Sequence, residues 1–295
     1  MMSLRRLRWI LTALLAIAVS GPALAGEEMR AGGKLLLTGG ISTVEGAGGG
    51  GLASWALIAG NETVDGIGGT VHATYVPLAD YSLTSEGVAI GIRDRLELSY
   101  AHQRFDTQKV GAALGLGRGF SFQQDIIGAK LRLAGDAVID QDSLLPQIAV
   151  GVQYHIADRD AVIHAIGGAH AKGTDFYLAA TKVLLAQSLV LGGTVRLTKA
   201  NQFGLLGFGG DAHNHYSAQF EGSAGLLVTR RLLLGGEYRT KPDNLRFARE
   251  DRALDLFAAY AVTRNLTATA AYVDLGDIAT IRHQRGALLS LQANF

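Results

Sequence analysis

The last nine residues, Ala287 to Phe295, read ALLSLQANF. Ala287, Leu289, Leu291, Ala293 and Phe295 fall on one side of an extended chain, and Ser290, Gln292 and Asn294 on the other. Successive side chains of a β-strand point to opposite faces, so this stretch is a strand with one oily face and one polar face. The same two-residue period recurs upstream. In RLELSYA (95–101), Leu96, Leu98 and Tyr100 oppose Arg95, Glu97 and Ser99. In IGAKLRL (127–133), Ile127, Ala129, Leu131 and Leu133 oppose Lys130 and Arg132. In QIAVGVQY (147–154), Ile148, Val150, Val152 and Tyr154 oppose Gln147, Gly151 and Gln153. SLVLGGTVRL (188–197) and RLLLGGEYR (231–239) repeat the pattern, with Thr194, Arg196, Glu237 and Arg239 on their polar sides.

Composition narrows what such strands can build. The 295 residues are 48% hydrophobic and only 18% charged, with 39 glycines, 4 prolines and no cysteine. Mean hydropathy is positive, at +0.20. This excludes a disordered chain, and the glycine content excludes a coiled coil. The lack of cysteine excludes a disulfide scaffold and a Cys-ligated metal site. Residues 1–25 read as a secretory signal: Arg5, Arg6 and Arg8, then an apolar run from Trp9 to Gly21, then Ala23-Leu24-Ala25 as a cleavage site. Residues 26–295 then carry 24 Lys and Arg against 26 Asp and Glu, a net charge of −2, with no basic patch for nucleic acid. No later run reaches the ~18 continuous apolar residues of a membrane-spanning helix.

Apolar strands without a spanning helix suit a closed transmembrane antiparallel β-barrel. In a membrane every backbone group must be paired within the protein, and closure achieves this. A C-terminal strand of alternating apolar residues ending in Phe also resembles the assembly signal of Gram-negative outer-membrane barrels, which would make the barrel-assembly machinery a partner of the strand ending at Phe295. Strands are expected near 34–43, 51–60, 68–77, 83–92, 95–105, 120–134, 146–156, 174–185, 188–199, 217–228, 231–241, 252–262, 265–274 and 285–295. That count is fourteen; twelve is the alternative, because the first hairpin, with its glycine run at 45–51, is the least regular. Tight turns at Arg93-Asp94, Ala186-Gln187, Thr229-Arg230 and Thr263-Arg264 alternate with longer segments at 106–119, 157–173, 200–216, 242–251 and 275–284, as short periplasmic turns alternate with extracellular loops. The stretch 135–145 is long for a periplasmic turn. Given these directions, Tyr75, Tyr100, Tyr154, Phe176, Phe220, Tyr238 and Tyr272 gather near the extracellular end, as an aromatic girdle would.

The polar faces then meet the lumen. Glu97, Lys130, Arg132, Arg196, Glu221, Glu237, Arg239 and Asp255 are expected there, either as an ion-pair lattice or as the lining of a pore. Arg196 should complement the Glu221 strand and Arg239 the Asp255 strand, and the mixed signs predict weak charge selectivity. Lys199 and Lys241 are expected as solvated rim charges. No catalytic residue, metal or cofactor is assigned. His164, His170, His213 and His215 lie in loops without carboxylate partners, Asp136, Asp140 and Asp142 read as a solvated turn, and no G-x-S-x-G elbow is present. GLGRGF (115–120) and GFGGD (207–211) are not followed by helices and read as loop tips.

Several segments are specific enough to carry a resemblance. They are GGKLLLTGGIS (32–42), QDIIGAKLRLAGDAV (124–138), LPQIAVGVQY (145–154), GTDFYLAATK (173–182), TKANQFGLLGFGGD (198–211), EYRTKPDNL (237–245), AREDRALDLF (248–257) and AYVDLGDI (271–278). In these the chain resembles a family of proteobacterial, porin-like outer-membrane proteins known as a domain of unknown function. The resemblance implies the same architecture and no residue roles. The expected function is a passive or weakly selective channel for small solutes, set in outer-membrane lipid of a Gram-negative bacterium. The alternatives are a fatty-acid-type transporter of hydrophobic compounds, an outer-membrane enzyme, or a structural or adhesion barrel. The fatty-acid type needs an N-terminal hatch, for which 26–50 would have to fold inward.

Overall fold

The computed structural model describes residues 34–295. The expected signal segment 1–25 lies outside them. Twelve antiparallel strands close into one barrel: β1 (Ile67–Pro77), β2 (Ser82–Ile92), β3 (Leu96–Asp106), β4 (Ser121–Ala134), β5 (Gln147–Ala157), β6 (Lys172–Leu184), β7 (Leu189–Thr198), β8 (Ser217–Thr229), β9 (Leu232–Thr240), β10 (Arg252–Ala261), β11 (Leu266–Asp274) and β12 (Arg285–Asn294). Each strand pairs with the next in sequence, and β12 closes the wall on β1 with Leu289 opposite Tyr75 and Asn294 opposite Thr70. This up-and-down order leaves no sheet edge unpaired.

The two-residue period sets which face is which. Leu98, Tyr100, Ile127, Val150, Tyr154, Phe176, Leu191, Phe220, Leu234, Tyr238, Leu256, Tyr272 and Leu289 are exposed on the outer wall. Their neighbours Glu97, Ser99, Gln153, Asp175, Arg196, Glu237 and Ser290 are buried inside. Apolar residues out and polar residues in is the reverse of a soluble barrel. One end carries most of the short connections, with Arg93 and Asp94 both at positive φ in one of them. The other end carries longer loops, which include helices α1 (Gln108–Ala113) and α2 (Asp160–Ala165) and a short ladder between Gly168–His170 and Phe208–Gly210.

The expected first two strands, 34–43 and 51–60, are not part of the wall, so the count is twelve rather than fourteen. Residues 41–60 are buried without interruption. Within them Ile41–Ser42 pairs with Gly48–Gly49 as a small inner ladder, and the chain runs into the lumen from the short-turn end and back. The physical reason lies in the second of these stretches. GLASWALIAG has no alternating polar side, so it cannot present one face to lipid and one to a charged interior. Inside the barrel its backbone groups find partners on the wall instead.

Candidate functional site

The inner segment, hereafter the plug, is gripped at two levels by the charges the alternation pointed inward. At the lower level, nearer the short turns, the Glu97 carboxylate accepts the N–H groups of Gly48 (3.1 Å) and Ala59 (2.8 Å). Lys130 pairs with Glu97 at 3.0 Å and donates to the carbonyls of Gly48 and Leu57, each at 2.8 Å. One buried ion pair thus ties Gly48 and the 57–59 stretch of the plug to β3 and β4. Charged partners make such hydrogen bonds shorter and stronger than neutral ones.

At the upper level Arg239 holds Glu45 through both terminal guanidinium nitrogens (2.9 and 3.0 Å) and donates to the Leu52 carbonyl at 3.1 Å. Arg196 donates to Glu221 at 2.5 Å, to Ser54 Oγ at 2.9 Å and to Gln153 at 2.6 Å. It also lies 5.0 Å above the Tyr177 ring. Glu221 accepts the Ser54 N–H at 2.7 Å. Glu237 accepts the N–H groups of Leu52 (2.7 Å) and Ala53 (3.2 Å) and the Trp55 indole N–H (3.1 Å). Neutral wall groups complete the grip: Thr181 accepts the Ala56 N–H, Gln147 donates to the Ala56 carbonyl, and Ser85 and Gln103 donate to the Val44 carbonyl. The glycine run follows from this closeness. A Cβ added at Gly50 would stand 1.7 Å from Glu237 Oε1.

Seven of the eight residues expected in the lumen are therefore buried against the plug: Glu97, Lys130, Arg196, Glu221, Glu237, Arg239 and Asp255. Arg132 is not. It sits half-buried at the short-turn end, paired with Asp94 and with Asp136 at 3.1 Å. Asp136 also accepts the N–H groups of Val138 and Ile139, which orders the long 135–145 connection. Arg196 meets Glu221 as the strand order suggested. Arg239 does not meet Asp255. Its partners are Glu45 and, at 3.4 Å, Glu221. Asp255 instead lies opposite Glu237 in the ladder. Lys241 is not a solvated rim charge either: it is buried, donates to the Leu275 carbonyl at 2.8 Å and stands 4.0 Å from Glu250.

Both mouths are sealed. At the base, Lys34 pairs with Asp94 (2.9 Å) and Glu62 (3.2 Å) and donates to the Ile58 carbonyl at 2.6 Å. Burial pushes the Glu62 carboxyl up to about 7 against the pull of Lys34. Above the plug the loops fold inward. Phe203 lies over Arg239 at 4.5 Å, and Glu250 accepts the Gln202 N–H. Burial lifts the Glu250 carboxyl to about 7, opposed by Lys241, and the same burial lowers Lys241. The space between plug and loops that Arg196, Thr198, Phe203, Arg239 and Lys241 line is about 10 Å³, which is about the room one water molecule needs. Residues 41–60 occupy the lumen.

Sequence reasoning missed Glu45, Ser54 and Trp55. One signal was present: a lone acid beside a glycine run, followed by an apolar stretch without alternation. Among the described residues no group of three or more His, Cys, Asp or Glu is placed to hold a metal ion.

Comparison with known proteins agrees on the architecture. A solved KdgM porin in complex with disordered oligogalacturonate is similar in fold, with a TM-score of 0.51 at 9% identity, over 77% of this chain and 99% of that one. A NanC porin gives 0.47 at 11% identity, over 77% and 98%. The outer membrane phospholipase A from Escherichia coli gives 0.42 at 7% identity, over 77% and 92%. At 9% identity the KdgM likeness concerns the fold alone. No curated protein sequence matches the chain. Residues 38–292 match the family described as "Protein of unknown function (DUF3034)", and the chain belongs to that family.

Proposed function

We propose that the chain is an outer-membrane barrel of a Gram-negative bacterium that passes small polar solutes, and that its residues 34–66 close it at rest. One observation carries this reading: a closed twelve-stranded wall, apolar outside and charged inside, whose inner charges are spent on a segment of the same chain. Exposed aromatic residues on the outer wall, including Tyr100, Tyr154, Phe220 and Tyr238, suit a lipid interface. The short-turn end then faces the periplasm, where Phe295 joins β1 through paired backbone hydrogen bonds with Gly69. The C-terminal strand is the segment we assign to the assembly machinery. With the plug displaced, Glu97, Lys130, Arg196, Glu221, Glu237, Arg239 and Asp255 line the path, with Arg132 at its periplasmic mouth, and their mixed signs favour weak charge selectivity.

An N-terminal segment inside the lumen also favours a second reading, transport of hydrophobic compounds past a hatch. The wall around the plug is charged and hydrogen-bonding rather than apolar, which weighs toward polar solutes. Planar-bilayer recording of the refolded chain separates the outcomes. Discrete openings that increase in Glu237→Gln or Arg239→Gln support the channel. A barrel that stays silent in both variants, at every voltage and salt, overturns it.

A further inference from the structure

One pair of acids in the lumen has no cation partner among the described residues. Asp255 is 1% exposed, and among the described residues neither of its carboxylate oxygens has a hydrogen-bond partner. Its neighbour across the β9–β10 ladder is Glu237. Both acids face one spot beside Gly51. A Cβ placed there would lie 3.0 Å from Asp255 Oδ2 and 3.9 Å from Glu237 Oε2. The elements packed around the pair supply no free positive charge. From β9, Arg239 is held by Glu45 and Glu221. From β8, Glu221 adds a negative charge and is itself bound by Arg196. Val273 on β11 and Leu288 on β12 are buried and apolar, and the plug brings Gly51, Leu52 and Trp55.

Two bare carboxylates buried together repel each other and forgo their hydration. A buried acceptor without a donor costs about 1–3 kcal/mol, and more when charged. Something must therefore occupy the pair. A hard divalent cation takes about six to eight oxygen ligands, whereas the Glu237 oxygens already accept three N–H groups of the plug. A proton needs only one donor oxygen and one acceptor. Carboxyl pairs at close range hold a single shared proton for this reason.

We propose that Asp255 and Glu237 form a proton-binding site in which one proton, carried on Asp255 and donated to Glu237, latches the plug. With the proton present, Glu237 is a hydrogen-bonded anion free to hold Leu52, Ala53 and Trp55. Without it, two like charges face each other behind the plug, and the docked state loses its advantage. The site makes plug release a response to alkaline pH. This rests on the reading that residues 34–66 close the lumen.

The test uses the full chain refolded in detergent and in bilayers, with Asp255→Asn as the variant that keeps a donor but cannot titrate. Infrared spectra of the wild type near neutral pH should contain a protonated-carboxyl band that the variant lacks. Exposure of Trp55 to acrylamide, and channel opening, should rise with pH in the wild type. The open-to-closed ratio should gain up to ~10-fold per pH unit through the titration, as for one linked proton. In Asp255→Asn both should lose this component and keep no more than the dependence that Glu62, raised to about 7 at the base, supplies and Glu62→Gln removes. Identical infrared spectra in the two proteins overturn the proton site. A band lost in the variant together with pH-independent Trp55 shielding in the wild type overturns the latch. If Trp55 becomes exposed on schedule while no current flows, the latch stands and the channel reading fails.

Discussion

Glu45 is the residue on which plug docking depends most. It is wholly buried and meets both terminal nitrogens of Arg239, at 2.9 and 3.0 Å, with Arg196 at 3.6 Å. Removing one partner of a buried ion pair costs about 3–5 kcal/mol, because the other charge is left without compensation. Here Glu221 still stands 3.4 Å from Arg239, so the lower end applies. At ~1.4 kcal/mol per decade, a loss of ~3 kcal/mol multiplies the undocked-to-docked ratio by ~100. The wall should survive, since its twelve ladders do not involve Glu45. Trp55 gives the readout. It is 2% exposed, and it is the single tryptophan of a chain lacking residues 1–25. Glu45→Ala should red-shift Trp55 emission, open it to acrylamide and raise channel opening by a similar factor, with Glu45→Gln weaker in the same direction. Heat-modifiable gel migration would show that the barrel is intact. An intact Glu45→Ala barrel with Trp55 as shielded as in the wild type would refute the role assigned to this pair.

Three further outcomes follow from the same geometry. Lys130→Met removes the cation that pairs with Glu97 and holds the Gly48 and Leu57 carbonyls, and should weaken docking by about 3–5 kcal/mol, read as Trp55 quenching. Gly50→Ala places a methyl group against Glu237 and should increase opening although it adds apolar surface; unchanged conductance would show that the plug does not approach the wall this closely in the bilayer. Glu62 is raised from its ordinary value of 4.5 to about 7 by burial, so the folded base favours its protonated form. Its contribution is complete below about pH 4.5 and is lost as pH rises through about 7. Glu62→Gln should flatten that decline in denaturant titrations and be the more stable protein above pH 7.

Much of the wall was legible because alternation is local. Leu289 and Ser290 declare their faces through their immediate neighbours, and so do Glu97 against Leu98 or Arg196 against Val195. The inward direction of the charges needed one further principle, that the sheet must close. Reading fourteen strands failed at 34–60, because length and hydrophobicity suit a wall strand and a buried plug equally well. The missing polar alternation in GLASWALIAG was the available warning. Partner choice was less legible still. Opposed strands suggested Arg239 with Asp255, yet the long guanidinium reaches across the lumen to Glu45, 194 residues away in sequence. That leaves Asp255 facing another acid.

Period-two patterning, with the need to pair every backbone group, was enough to point to a closed barrel with its polar face inside. Whether that face meets water or protein could not be read from them. A lumen charge reads the same in sequence whether its partner is solvent or a backbone N–H from a distant segment. Tertiary structure decided this by bringing 41–60 between the walls, where Glu97, Glu221 and Glu237 take up its N–H groups, and so gave the inner charges protein partners.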